Sequence, residues 1–395
     1  MSAPLEGIRI VDLTRAMAGP YCSMMLADMG AEVIKVEVPG KGDESRSWGP
    51  PFQGGESAYF LSINRNKRSI TLDLKKEPGR EVLSLLLRRA DVLLENFSPG
   101  TMARLGFSYD RVRDLNPRIV YCSISGFGQS GPQSHLPAYD QILQGMGGLM
   151  SITGPDEGPP IKVGVAIADI AAGIFGAFAT LAALYHRQQT GVGQWVDTSL
   201  LDSQVALLSF QAGRYFATGE APGCAGNHHP LLAPSGAFRT GDGYVCVAAG
   251  NDKLWQCLCR AMGYLDLLDD PRFGTNPDRV ANRDALVAAL EERFSALSTQ
   301  EIVNRLEAEG IPAGPIRNLH QVFSDPQVLN LGLKQTVQHP TAGEIAVTGI
   351  PYRFSASPAQ IRRPPPLLGE HTEEVLEELG LGKEEVSRLR EEGVT

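Results

Sequence analysis

Two periodicities of apolar residues organise the first 200 positions. Ile8-Arg9-Ile10-Val11-Asp12-Leu13, Glu32 to Glu37, Ser69 to Leu74, Asp91 to Glu95 and Ile119 to Ser125 are short runs rich in aliphatic residues, the composition expected of buried strands. Between them the apolar positions recur at helical spacing. Gly19-Pro20 breaks the chain, and the segment from Tyr21 to Met29 predicts a helix. Pro78 stands where a helix can begin, and Glu81 to Arg89 continues with helical spacing. This β-α-β rhythm predicts an α/β fold: a Rossmann-like large domain on a mostly parallel sheet, with helices on both faces.

Beyond residue 200 the rhythm changes. Ala221-Pro-Gly-Cys-Ala-Gly-Asn227 has the composition of a boundary. Ala237 to Val247 reads as a hairpin turning at Asp242-Gly243, and Leu286 to Ala296 and Thr299 to Gly310 read as helices. These segments predict a smaller α+β domain. The expected order is a first part of the large domain at 1–200, a linker at 201–224, the small domain at 225–325, and a return linker with the C-terminal part of the large domain at 326–395. A second hairpin brackets Pro340 to Glu344, Pro364 to Gly369 is extended, and Thr372 to Leu379 can cap and form a helix. No internal repeat is evident.

Composition narrows the function classes. Hydrophobic residues at 43% and charged residues at 21% are those of a folded globular protein. Glycine is frequent, 43 of 395 positions, with 27 prolines and no collagen-like period; turns and close backbone approaches account for such usage. The 36 basic and 45 acidic residues leave a net charge of −9, which argues against nucleic acid as a partner but leaves room for one local basic pocket. Six cysteines without a CxxC fit neither a zinc site nor a disulfide framework. With no signal peptide at Met1-Ser-Ala-Pro, a reducing cytoplasm is expected. The apolar run Ile170 to Tyr185, sixteen residues, is shorter than the ~20 that span a bilayer, so a buried helix is expected rather than a membrane segment.

Gly126-Phe-Gly128-Gln-Ser-Gly131 fits the dinucleotide pattern GxGxxG and follows a predicted strand. Pro132 and Pro137 come directly after it, so the helix that the fingerprint requires cannot open there. A glycine-rich loop approached by a ligand is the better reading, without NAD. His228-His229 would face opposite ways on a strand and make a poor metal pair. Asp169 heads the long apolar segment. As a helix N-cap it would contribute about 1 kcal/mol; as a carboxylate kept ionised by the helix N-terminus it could act as a nucleophile. Asn64-Arg65-Asn66-Lys67-Arg68 is either a solvated loop or an anion site. Asn96-Phe97-Ser98-Pro99-Gly100, with Arg104, follows a predicted strand at its carboxyl end, where open α/β sheets bind ligands.

Taken in order, Leu5-Glu-Gly-Ile-Arg-Ile-Val-Asp-Leu13, Asp28-Met-Gly-Ala-Glu-Val-Ile-Lys-Val-Glu37, Glu95 to Gly100, Gly126 to Pro132, Gly164-Val-Ala-Ile-Ala-Asp169 and Pro364-Pro-Pro-Leu-Leu-Gly-Glu-His371 resemble the class III coenzyme A transferases, to which the α-methylacyl-CoA racemases are related in fold. The resemblance covers nearly the whole chain. It implies that Asp169 is the catalytic residue, whose carboxylate attacks an acyl-CoA to give a mixed anhydride and then an aspartyl-CoA thioester. It implies that Met17, Ala18, Leu72, Asp73, Leu74, Lys75, Asn96, Phe97, Ser98, Arg104, Ala138, Tyr139 and Asp140 bind CoA, which serves as co-substrate with no metal and no NAD. Homodimers of interlocked, ring-like chains are implied as well.

The chain departs from two subgroups. Formyl-CoA transferases carry Gln where Met17 stands and a glycine run where Ala248-Ala-Gly-Asn-Asp252 stands, features that serve oxalate-like substrates. Racemases carry a His-Asp pair where Tyr139-Asp140 stands, and a tyrosine is a poor base for proton exchange near neutral pH. The succinyl-CoA:dicarboxylate subgroup is the better match through Ser151 to Gly158, Gly250-Asn251 and Gly314 to Asn318. Arg15, His228, Gly250 and Asn251 are then candidates to contact the acceptor acid. The expected partners are thus an acyl-CoA and a carboxylic acid, with neither nucleic acid nor membrane. Racemisation and non-catalytic CoA binding are the alternatives.

Overall fold

The computed structural model describes residues 2–395. The chain divides into two compact units: the first comprises the chain through Leu149, Val163–Gly213 and Pro326–Thr395, and the second comprises Met150–Lys162 and Arg214–Asp325.

In the first unit, strands β1 (Arg9–Asp12), β2 (Glu32–Glu37), β3 (Lys67–Thr71), β4 (Val92–Glu95), β5 (Val120–Ser125) and β6 (Trp195–Ser199) form one sheet. Every pairing is parallel, and the spatial order is β3-β2-β1-β4-β5-β6. The chain runs outward from β1 through β2 to β3, then returns to place β4 on the other side of β1. This reversal is a topological switch point, where the two flanking loops separate and leave a crevice. On one face lie α1 (Ala18–Asp28) and the long helix α4 (Ile167–Thr190), with Cys22, Leu26, Ala172 and Ala177 in a common core. The other face is covered by α2 (Glu77–Arg89) and two C-terminal helices, whose Val375, Leu376, Val386 and Leu389 share a core with Leu83, Leu87 and Leu93. A short helix, α3 (Asp140–Met146), precedes α4, and α5 (Leu200–Leu207) and α6 (Ser209–Thr218) follow β6.

Several expectations shift, each for a local reason. Helix α1 begins at Ala18, so Gly19-Pro20 lies within its first turn, where proline gives up no hydrogen bond. Strand β6 carries alternating exposure and was not legible as a buried run. The segment 201–224, expected as a linker, is helical over Leu200–Leu207 and Ser209–Thr218. Helix α4 has 24 residues and enough hydropathy to cross a bilayer by length and composition, beyond the sixteen-residue apolar run. Its small residues nevertheless pack inside: a Cβ on Gly173 would sit 2.7 Å from the Ala18 carbonyl oxygen, and one on Gly176 would sit 2.8 Å from Ile124 Cδ1. These glycines let α4 approach α1 and β5 closely.

The basic cluster is neither a solvated loop nor an anion site. Lys67 and Arg68 lie on β3, and Asn64 to Arg68 are all buried. Arg65 pairs with Asp28 at 2.7 Å, Lys67 with Asp12 at 3.3 Å, and Arg68 with Glu32 at 2.6 Å and Glu378 at 2.9 Å. Buried charges persist only when paired and hydrogen-bonded, so the acids around this cluster consume its charge.

In the second unit, β7 (Ser235–Arg239), β8 (Tyr244–Ala248) and β9 (Ala313–Pro315) form an antiparallel sheet in the order β9-β8-β7. Helices α7 (Asp252–Met262), α8 (Arg283–Phe294) and α9 (Thr299–Ala308) supply Trp255, Leu258, Leu290, Phe294 and Leu306 to its core around Phe238 and Val245. After Pro326 the first unit resumes with a hairpin, β10 (Lys334–His339) and β11 (Gly343–Thr348), and then α10 (Thr372–Leu379) and α11 (Lys383–Glu391).

Candidate active site

The switch point lies between the ends of β1 and β4. Asn96, just past β4, accepts the Arg15 N–H on Oδ1 and donates from Nδ2 to the Arg15 carbonyl, both at 2.8 Å. The Arg15 guanidinium lies 4.9 Å from the Phe97 ring centroid. Three residues singled out in the sequence are thus brought together. Beneath them Glu95 is buried and accepts the Phe97 N–H at 2.9 Å; burial pushes its carboxyl up to about 7, against the hydrogen bonds from Ser123 and Phe97.

Leu72 to Lys75 follow β3. The Asp73 N–H donates to the Val394 carbonyl at 2.7 Å, which ties this loop to the chain's end, and the Asp73 carboxylate accepts the Lys75 N–H at 3.0 Å. Leu72, Leu74 and Phe97 share one apolar cluster. The Lys75 ammonium is exposed, and no carboxylate pairs with it among the described residues. Arg104, also exposed, donates to Thr101 Oγ1 at 2.7 Å rather than to an acid. Ser98 is exposed and its carbonyl accepts the Thr101 N–H at 3.1 Å.

On the opposite face, a Cβ on Gly126 would lie 2.1 Å from Ala138 Cβ. The first glycine of the GxGxxG segment therefore lets Ala138, just before α3, pack against the end of β5. No helix opens at Gly131, and the chain stays irregular until α3. Tyr139 is 62% exposed, which leaves its phenol available to a ligand.

Asp169 is not the N-cap of α4. That position belongs to Ala166, whose side chain cannot cap, and Asp169 is the third residue of the first turn. Asp140 does the capping from the neighbouring helix: its Oδ1 accepts the N–H of Ala168 at 2.8 Å and of Asp169 at 3.4 Å, and its Oδ2 accepts from Gln144 Nε2 at 2.7 Å. A helix N-terminus favours a nearby anion, yet the Asp169 carboxyl is pushed up to about 7, first by burial and then by the Asp140 charge. The cap spends the favourable end of the helix on Asp140 and leaves Asp169 with a like charge and, among the described residues, no paired cation. Tyr59 lies within the field of Asp169, Asp140 and Asp43, which with burial raises its phenol. Tyr59, on the helix Ala58–Ile63, was not singled out from the sequence; only the fold brings it within the field of Asp169.

Met17 is the N-cap residue of α1 and Ala18 its first buried residue. Gly173, one helical turn after Asp169, touches Ala18. Residues at i and i+4 share a helix face, so Asp169 faces the start of α1.

His228, Gly250 and Asn251 belong to the second unit. His228 is half-buried against Phe238, with ring centroids 5.4 Å apart, and burial lowers its imidazole. Asn251 caps α7, its Oδ1 accepting the Leu254 N–H at 2.8 Å. Gly250 has no room for a Cβ, which would meet Leu232 Cβ at 2.7 Å. Its carbonyl accepts at 3.0 Å from Arg279, a fully buried guanidinium that also bonds Ala233, Phe273 and Asp252. Nothing in the sequence pattern distinguished Arg279. No cluster of His, Cys, Asp and Glu among the described residues could hold a metal ion.

A parallel sheet with a switch-point crevice, exposed cations at Lys75 past β3 and Arg104 past β4, and a half-buried carboxyl at a helix start have the make-up of an α/β enzyme. The sequence profile of CoA-transferase family III matches residues 5–372, and the chain belongs to this family of enzymes that transfer CoA. It is 46% identical over 376 residues to the succinyl-CoA:glutarate CoA-transferase of Mus musculus, covering 95% of this chain and 86% of that one. It is 41% identical over 389 residues to the succinyl-CoA:mesaconate CoA-transferase of Haloarcula hispanica, covering 96% and 97%. A CAIB/BAIF family protein from Brucella suis has a crystal structure that superposes with a TM-score of 0.87 at 41% identity, covering 96% of this chain and all of that one.

Proposed function

We propose that the chain moves CoA from succinyl-CoA to a dicarboxylic acid, with the Asp169 carboxylate as the acyl acceptor. The carrying observation is the placement of Asp169: half-buried beside Asp140, with no cation paired to it among the described residues and its carboxyl near 7. Such a carboxylate is poorly stabilised as an anion and correspondingly nucleophilic, and acylation removes its charge. Its oxygen attacks the succinyl thioester carbon and CoA leaves as thiolate, giving a mixed anhydride. The thiolate attacks the aspartyl carbonyl, forming an aspartyl thioester and releasing succinate. The acceptor carboxylate displaces the thiolate to give a second anhydride, and the thiolate then takes the acceptor's acyl group, which restores Asp169. Atoms and charge balance with CoA as co-substrate alone.

The rest of the proposed assignment rests on the family resemblance and on which side chains are exposed. Lys75 and Arg104, unpaired with acids, suit the phosphates of CoA, with Leu72 to Leu74 and Asn96 to Ser98 beside them. Met17, Ala18, Ala138 and Tyr139 suit the thioester end near Asp169. Arg15, at the switch point, suits the acceptor acid. Tyr139 stands where the racemases carry His, and Asp140 already accepts from Ala168, Asp169 and Gln144, which supports transfer over racemisation. Phe178 at 71% and Phe216 at 79% exposure, on α4 and α6, support a homodimer in which a second, interlocked copy covers these faces. Six unpaired cysteines fit a cytoplasmic enzyme.

Incubation with succinyl-CoA and a panel of carboxylic acids, read by mass spectrometry, tests the reading. New dicarboxyl-CoA thioesters and hydroxylamine trapping at Asp169 are expected; full turnover by Asp169→Ala would refute the mechanism.

A further inference from the structure

Five backbone polar groups of Thr14, Arg15 and Ala16 are held by side chains. Asp12 accepts the Thr14 N–H at 2.8 Å, Lys35 Nζ donates to the Thr14 carbonyl at 2.8 Å, Asn96 takes both groups of Arg15, and Asp43 Oδ1 accepts the Ala16 N–H at 3.1 Å. Ala16 has φ of 65°, a left-handed conformation that alanine adopts only under constraint. Lys35 and Asp43 pair at 2.9 Å with both side chains fully buried. Asp43 Oδ1 also accepts from the Ser45 N–H and hydroxyl, at 2.9 and 2.8 Å. A buried ion pair is weak evidence for stability and is better explained by the geometry it imposes. Here the geometry is that of the residue before Met17, at the end of α1 that Asp169 faces.

We infer that Lys35 and Asp43 are positioning residues for CoA transfer, holding Ala16 left-handed so that the Arg15 to Met17 backbone is preset against the acyl group on Asp169. The inference rests on Asp169 as the acyl acceptor. Lys35→Met/Asp43→Leu removes both charges together with side chains of similar length and branching, so a buried charge is not stranded. A cooperative melt is expected, with kcat at least tenfold lower and the succinyl-CoA KM within threefold of wild type. Adding Ala16→Gly is expected to regain at least threefold in kcat, because glycine adopts this φ without strain. A merely structural pair would lower the melting temperature, leave kcat per folded molecule within twofold and show no glycine rescue; that result overturns the inference. Should the double variant not fold, Ala16→Val is compared with Ala16→Gly: a kcat at least tenfold lower for valine supports the inference, and equal values overturn it. Wild-type turnover by Asp169→Asn would sink the acyl-acceptor reading instead, so the two failures are distinguishable.

Discussion

Replacing Asp169 by Asn should stabilise the protein, and by an amount that depends on pH. Burial and the Asp140 charge move the Asp169 carboxyl from 3.8 to about 7 in the folded chain. Between those values the folded state holds a proton that the unfolded state has released, so stability falls as pH rises through this window. At about 1.4 kcal/mol for each pH unit the ceiling is about 4 kcal/mol; partial access of solvent to the carboxyl brings the expected loss to roughly 2 kcal/mol. For a unit of this size that is on the order of 4–8 °C in melting temperature. Asn keeps the shape and cannot ionise. The variant should therefore melt close to wild type at pH 4 and about 4–8 °C above it at pH 8, by calorimetry at constant ionic strength. A difference that stays flat from pH 4 to 8, or a wild type that is the more stable at pH 8, would refute the assignment of a destabilised carboxylate.

Three further outcomes are expected. Asp140→Asn keeps an oxygen to cap α4 but removes the like charge, so the acid limb of kcat/KM for the acyl-CoA donor, expected near pH 7 in the wild type, should move to lower pH; an unchanged limb would exclude Asp140 as its cause. Lys75→Ala/Arg104→Ala should raise the acyl-CoA KM by about tenfold, equivalent to about 1.4 kcal/mol, with little change in kcat and a weaker dependence on salt. Gly173→Ala places a methyl 2.7 Å from the Ala18 carbonyl oxygen, and overpacking of this kind costs about 1–3 kcal/mol; denaturant titration should show the loss, with kcat falling as α1 is displaced from Asp169.

Much of the first unit was legible because parallel strands buried on both faces read as continuous apolar runs. The Asp91 to Glu95 and Ile119 to Ser125 runs lie within a residue of β4 and β5. Strand β6 was missed because its exposed face breaks that signal. The five residues from Asn64 to Arg68 misled for the opposite reason: charge in a sequence looks solvated until its partners are known, and Asp12, Asp28, Glu32 and Glu378 come from four other parts of the chain. Gly126 resembled a phosphate-binding glycine, whereas its missing Cβ makes room for Ala138.

Asp169, Asn96 and Phe97 could be singled out as candidates from the chain alone, because local periodicity, turn chemistry and ordered motifs are properties of neighbouring residues. So could the parallel α/β architecture. The protonation of Asp169, its loss of the helix cap to Asp140, the pairing of Arg15 with Asn96, and the burial of Lys35 against Asp43 were decided only in three dimensions. Burial and Coulomb interactions act through space between residues as far apart as Asp12 and Lys67, and no spacing along the chain encodes them.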